Sequence, residues 1–107
     1  MEKAEDMFRR SIEWDGNKWN SLNNLALVLL SKESSKDHRE ALELLVLSRS
    51  IAPENPAVQL NLILALLKNN QKVKAKSELT DLLKQPDLPE EILSQAQQLA
   101  DIKTIRA

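Results

Sequence analysis

Apolar residues recur along this 107-residue chain at intervals of three and four, the spacing that places side chains on one face of an α-helix. Residues 18–32 contain one such stripe, and residues 56–68 contain a second with the same internal spacings. No segment alternates apolar and polar residues with a period of two, so the sequence predicts no β-strand. The pattern therefore predicts an all-α protein. The first stripe is Leu22, Leu25, Ala26 and Leu29, and the equivalent positions of the second are Gln59, Leu62, Ile63 and Leu66.

Residues that interrupt helices divide the chain into six predicted helices. The single glycine, Gly16, and the four prolines lie in three clusters, and the stretches between them are rich in residues with high helix propensity. Asn55 followed by Pro56 predicts a capped helix start. Asp37 and Asp87 each precede a glutamate by three residues, which is a variant of the capping box. The predicted helices cover about residues 2–14, 18–32, 37–52, 55–68, 72–84 and 87–102.

The predicted helices repeat in a fixed register. Ala4, Ala41 and Ala75 each precede a large apolar residue by four positions and a turn residue by twelve. The alanines are 37 and 34 residues apart, and the longer interval can place its three additional residues in the polar turn at residues 34–36. Three copies in one register indicate a repeat protein. The apolar residues are Phe8, Leu45 and Leu79, and the turn residues are Gly16, Pro53 and Asp87.

This register resembles the tetratricopeptide repeat family, whose unit is a helix-turn-helix of about 34 residues. The resemblance covers about residues 4–89 and implies an α-solenoid of antiparallel helical hairpins, with about six helices in one domain over residues 1–107. Pentatricopeptide and other helical-hairpin arrays are the alternatives. The implied division is the second helix of an incomplete repeat in 1–17, repeats in 18–55 and 56–88, and a C-terminal capping helix in 89–107.

The first helix of each implied repeat has a second apolar face. It is separate from the stripes listed above, Leu22 to Leu29 and Gln59 to Leu66, which are the motif stripes. The resemblance implies that this face lines a concave groove in which a peptide or helix of a partner protein binds. Family members often place an asparagine at the positions of Asn24 and Asn61, where its amide can hydrogen-bond a peptide backbone. We expect leucines to supply contact area and polar side chains to orient the ligand. The predicted leucines are Leu27, Leu30, Leu60, Leu64 and Leu67, and the polar residues are Asn20, Asn23, Asn24, Asn61 and Lys68.

The leucines of that face have to be covered, because burying each one contributes about 1.5–3 kcal/mol. One hypothesis is that the terminal helix folds over part of the face with one apolar stripe, which is Ile92, Ala96, Leu99 and Ile102. The others are a segment of a partner protein or a second copy of the domain. The predicted function is therefore a protein–protein interaction module. The alternative is a structural element that self-associates, through the groove or an open N-terminal helix, or completes a larger repeat protein.

Composition argues against most other functions. The chain has no Cys and a single His, so we predict no catalytic residue, no metal and no cofactor, and we expect His38 to have a packing role. Four lysines between residues 68 and 76 form a basic patch, but the net charge is −1 and no aromatic residue is interleaved to stack a base, so no nucleic-acid partner is predicted. No apolar run is long enough to cross a bilayer, and no signal peptide is recognisable. We therefore expect a cytoplasmic protein without a membrane partner.

Overall fold

The computed structural model describes residues 18–101, which form five α-helices and contain no strand. The prediction of an all-α protein is thereby confirmed over this part of the chain. The helix predicted at residues 2–14 and the cap predicted at Gly16 lie outside the described residues, as do residues 102–107. The helices are α1 Lys18–Leu30, α2 Ser35–Ile51, α3 Pro56–Lys68, α4 Lys72–Leu83 and α5 Glu90–Ala100.

The start of α3 is the one predicted from its asparagine and proline. The Asn55 side chain accepts hydrogen bonds from the backbone N–H groups of Ala57 and Val58, at 3.0 and 3.3 Å. These bonds satisfy two N–H groups that have no partner within the helix. Pro56, at the first helical position, has no N–H to satisfy. The prediction of a capped helix start at Asn55 is confirmed.

The start of α2 differs from the prediction. Ser34 is the N-cap, and its hydroxyl accepts the backbone N–H of Asp37 at 3.5 Å. Asp37 therefore lies within the first turn of α2, where its carboxylate faces the positive end of the helix dipole. The prediction that Asp37 caps this helix is wrong, because a serine three residues earlier supplies the capping oxygen.

The predicted cap at Asp87 is also wrong. Asp87 has a left-handed backbone conformation, with φ of 59°, in the turn between α4 and α5. Helix α5 begins at Glu90 after Pro89, which provides no side-chain cap. The end of α3 is built differently: Asn70 takes φ of 60°, and the N–H of Gln71 donates to the carbonyl of Leu66 at 2.8 Å. This is a Schellman turn in which asparagine occupies the position that glycine most often takes.

The helices stack as a linear array. Each helix contacts the next one along the chain, and in addition α1 contacts α3, and α3 contacts α5. Within residues 18–101, the backbones of α2 and α4 are not in contact with each other. Contacts restricted in this way to neighbouring elements are typical of a solenoid of helical hairpins, here α1–α2 and α3–α4.

The core follows the register that the sequence predicts. Ala41 and Ala75 are both fully buried where their helices pack, and the apolar residues four positions later, Leu45 and Leu79, are buried too. All eight positions of the two motif stripes are also buried. The small alanine at the equivalent point of each hairpin therefore marks the place where two helices pack closely.

Gln59 is the one polar residue among the eight positions of the two motif stripes, and it is fully buried. Its Nε2 donates to the carbonyl of Glu78 at 3.2 Å, and its Oε1 accepts from Nε2 of Gln85 at 2.6 Å. An amide side chain can lie in the core only when its polar atoms are hydrogen-bonded, because a buried polar group without a hydrogen bond costs free energy. Here those bonds tie α3 to α4 and to the turn that follows α4.

Candidate partner-binding surface

Helices α1 and α3 lie side by side and present equivalent residues. Positions 37 residues apart correspond, so Asn24 on α1 matches Asn61 on α3, and Leu27 matches Leu64. The two helices are joined by a hydrogen bond of 2.9 Å from Nδ2 of Asn61 to Oδ1 of Asn23. The structure therefore places the ten predicted binding residues on two adjacent helices, part of whose surface remains accessible.

Six of the ten predicted residues form an accessible row along this surface. Leu27 is 40% exposed, which makes it one of the most exposed large apolar side chains among residues 18–101. Its counterpart Leu64 is half-buried. A row of three amides, two leucines and a lysine can offer both hydrogen bonds and apolar contact to a ligand. The accessible row is Asn20, Asn24 and Leu27 on α1, and Asn61, Leu64 and Lys68 on α3.

The other four predicted residues form a covered row. Leu60 is only 4% exposed and Asn23 only 7%, so the expectation that both side chains face a ligand is not met. Leu30 and Leu67 are half-buried and pack against the core. The reason is the stacking: α3 lies against α1 beside Asn23, and α5 contacts α3. Helix α3 therefore covers one side of α1, and helix α5 covers one side of α3.

The terminal helix contributes to this cover. The apolar stripe on α5 joins the same hydrophobic cluster as Leu60, with Ala96 fully buried and Ile92 and Leu99 partly buried. Helix α5 contacts α3 and α4. The hypothesis that the terminal helix covers part of the predicted leucine face therefore agrees with the positions of these residues, and Leu27 and Leu64 are left accessible.

The amides of the accessible row retain hydrogen-bonding capacity. Nδ2 of Asn24 lies 3.4 Å from Oδ1 of Asn20, which is a long contact between exposed groups. Asn61 uses one N–H for Asn23, and its Oδ1 has no hydrogen-bond partner within residues 18–101. These carbonyl oxygens can accept backbone N–H groups of a ligand, and the remaining amide N–H groups can donate to its carbonyls.

His38 has a structural position. Its Nε2 donates to the carbonyl of Lys32 at 2.6 Å, which ties the turn after α1 to α2. Its own carbonyl accepts a hydrogen bond of 2.8 Å from the side chain of Asn69, at the end of α3. His38 thus links the two repeats, in agreement with the packing role expected from the sequence. Within residues 18–101, no group of three or more His, Cys, Asp or Glu side chains is arranged to hold a metal ion.

The structure also contains a feature that the sequence pattern did not reveal. A surface pocket of about 690 Å³ lies between α2 and α4. Leu42 and Val46 of α2 and Leu62 and Leu66 of α3 supply its apolar lining. The two walls are joined by an ion pair between Arg49 and Glu78. The only indication of it in the sequence was a group of apolar residues on α2, including Val46, outside the predicted stripes. Helical periodicity alone does not indicate the width of the gap between two helices.

Comparison with protein families identifies the repeat. The sequence profile of the family described as tetratricopeptide repeat matches residues 34–99, which is well over half of the chain. The protein belongs to this family, and the helical-hairpin array described above has the architecture expected of it. Comparisons with curated proteins and with solved structures gave no match.

Family membership gives the general class of function. Tetratricopeptide repeats are protein–protein interaction modules, so this chain is a module of that class. None of the helices between residues 18 and 101 has the length and apolar character required to span a bilayer.

Proposed function

We propose that this protein binds a peptide or helix of a partner protein along the accessible row on α1 and α3. The observation that carries the proposal is that Leu27 is exposed and Leu64 half-buried at equivalent positions of α1 and α3, each three residues after an asparagine, Asn24 or Asn61. Equivalent residues of two repeats meet there, so a ligand would encounter the same chemistry twice along its length.

The binding energy in this proposal comes from apolar burial. A ligand side chain that packs between Leu27 and Leu64 removes apolar surface from water, at about 25 cal/mol for each Å² buried. The asparagines contribute orientation, because an amide can donate and accept at once to an extended or helical backbone. Lys68 adds a positive charge at one end of the row and favours an acidic residue in the ligand.

The test uses peptides selected from a random displayed library against the intact chain. We expect the tightest selected peptide to bind the Leu27→Glu variant at least about tenfold more weakly than the wild type. Val73→Glu is the matched control, because Val73 is 84% exposed on α4 and lies outside the row. Fluorescence anisotropy gives the affinities, and circular dichroism confirms that each variant is folded. Equal affinities for the wild type and Leu27→Glu would contradict the proposal.

A second proposal is self-association through α2. Leu47 and Ile51 are about half exposed on this helix, and neither lines the pocket between α2 and α4. A second copy that covered these side chains would remove them from water. Sedimentation velocity over a range of concentrations tests this proposal: a dimer that dissociates in the Leu47→Glu variant supports it, and a monomer at all concentrations contradicts it.

A further inference from the structure

The pocket between α2 and α4 lies on the opposite side of α3 from the accessible row. Leu62 and Leu66 form its floor, and they are about 200° around the helix from Leu64 at 100° per residue. Both floor residues are almost fully buried, so the floor is part of the hydrophobic core. The pocket is therefore a surface separate from the accessible row.

One end of the pocket is closed by a polar network. The carboxylate of Glu78 on α4 pairs with Arg49 on α2 and also lies 3.4 Å from Nε2 of Gln59. Gln59 is itself bonded to Gln85 at 2.6 Å. These side-chain contacts link the two walls in the absence of a ligand. A site that is preorganised in this way does not have to spend binding energy on ordering itself.

The apolar lining of the rest of the pocket comes from α2 and α3, whereas Gln71, Lys74 and Ser77 make the opposite wall polar. Val46 is 55% exposed at the mouth, and Leu42 stands beside it on α2. Glu43 on α2 and Lys74 on α4 line the two opposite walls. These two residues form no ion pair with each other or with any other residue between 18 and 101. The mouth therefore carries one negative and one positive side chain on opposite sides of an aliphatic floor.

We propose that this pocket is a second docking site, which takes the apolar face of an amphipathic helix from another protein. Basic residues of that helix face Glu43, and acidic residues on its other flank face Lys74. The pocket volume of about 690 Å³ gives room for several aliphatic side chains of such a helix. Leucines at i, i+3 or i+4, and i+7 would enter it, as in other complexes in which a helix binds a groove.

Charge complementarity selects this occupant over an apolar small molecule. A helix carries side chains on both flanks of its apolar stripe and can therefore approach both walls at once. Glu43 and Lys74 are both exposed at the mouth, and an apolar small molecule would make no use of their charges. Charges at the rim of an interface chiefly determine which partner binds and in which orientation. The arrangement of Glu43 and Lys74 accordingly fixes the direction in which the helix lies.

The test uses a designed helical peptide and the intact chain. The peptide carries leucines at i, i+3 and i+7, lysines on one flank and glutamates on the other, and an N-terminal fluorophore. We expect saturable binding by anisotropy, and a loss of at least about tenfold in affinity for Val46→Glu. Val73→Glu is the matched control, since it makes the same change at an exposed site outside the pocket, and it should bind as the wild type does.

Two further variants make the test specific. The double variant Glu43→Lys/Lys74→Glu should bind the designed peptide more weakly and regain affinity for a peptide whose flanking charges are exchanged. Leu27→Glu should leave the affinity unchanged, which separates this site from the accessible row. The proposal is overturned if the wild type does not bind the peptide, if Val46→Glu binds equally well, or if sedimentation shows that a second copy of this chain fills the pocket.

Discussion

Asn61 donates a hydrogen bond of 2.9 Å from its Nδ2 to Oδ1 of Asn23, and this bond joins the first helices of two successive hairpins. Asn23 is buried by the contact, whereas Asn61 is half-buried and keeps one edge of its amide accessible. The pair therefore has a structural member and a member that can face a ligand. It lies beside Leu27 and Leu64 because all four residues occur within two turns of equivalent helices.

Replacing Asn23 with alanine should destabilise the protein. The substitution removes the acceptor of the Asn61 hydrogen bond from a buried site, so we expect the free energy of unfolding to fall by about 1–2 kcal/mol. Urea denaturation followed by circular dichroism measures this. Asn24→Ala is the matched control, and it should lower the free energy of unfolding by less than about 0.5 kcal/mol, because its contact with Asn20 is long and exposed. Equal losses for the two variants would show that the Asn23–Asn61 bond has no special role.

Replacing Gln59 with leucine should also destabilise the fold, although leucine is apolar and similar in size. The change leaves the carbonyl of Glu78 and the amide of Gln85 without the partner they have in the wild type. We expect a loss of about 1–3 kcal/mol in the free energy of unfolding, measured by urea denaturation. Gln95→Leu makes the same change at an exposed position of α5 and should shift the value by less than about 0.5 kcal/mol. A Gln59→Leu variant as stable as the wild type would contradict this account of the network.

Truncation of the predicted groove leucines should separate them into two classes. Leu60→Ala creates a cavity in the core, so we expect a loss of about 2–5 kcal/mol in the free energy of unfolding. Leu27→Ala should lose less than about 1 kcal/mol, because much of that side chain is already in water. Thermal and urea unfolding give both values. Similar losses at the two positions would mean that the covered and accessible rows are not distinct.

The helix caps provide a prediction about local structure. Asn55→Ala removes two side-chain hydrogen bonds at the start of α3 and should cost about 1–2 kcal/mol of the free energy of unfolding. Ser34→Ala should cost less, about 0.5–1 kcal/mol, because its single bond is 3.5 Å long. Chemical denaturation of the two variants under the same conditions measures the difference. A larger loss for Ser34→Ala would contradict this ranking.

The sequence alone predicted the helices and their register because both depend on local features. Helical spacing places apolar residues on one face, and Asn55 with Pro56 defines a helix start wherever it occurs. The alanines at 41 and 75 mark equivalent close contacts, and both are buried as the register requires. The two wrong caps show the limit of local rules: several oxygens near a helix start can serve as the cap, and backbone conformation decides among them. Asp87 was excluded by its left-handed backbone.

The accessibility of side chains was predicted less well because it depends on other helices. Helical periodicity separated Leu60 from the motif stripe, but it could not show that this second face is itself covered. Leu27 has the equivalent register position to Leu64, yet the two differ in exposure because different helices flank them. The pocket between α2 and α4 arises from the distance between two helices, which no spacing within one helix encodes. Long-range packing decides both properties.

Three polar contacts described above cross the boundary between the hairpins: Asn23 with Asn61, His38 with Asn69, and Arg49 with Glu78. In a linear array, stability is the sum of what each hairpin contributes alone and what each junction adds. Because three directional contacts lie at this one junction, unfolding either hairpin removes hydrogen bonds and an ion pair from the other hairpin at points along its length. We therefore expect the two hairpins to unfold together and not one at a time.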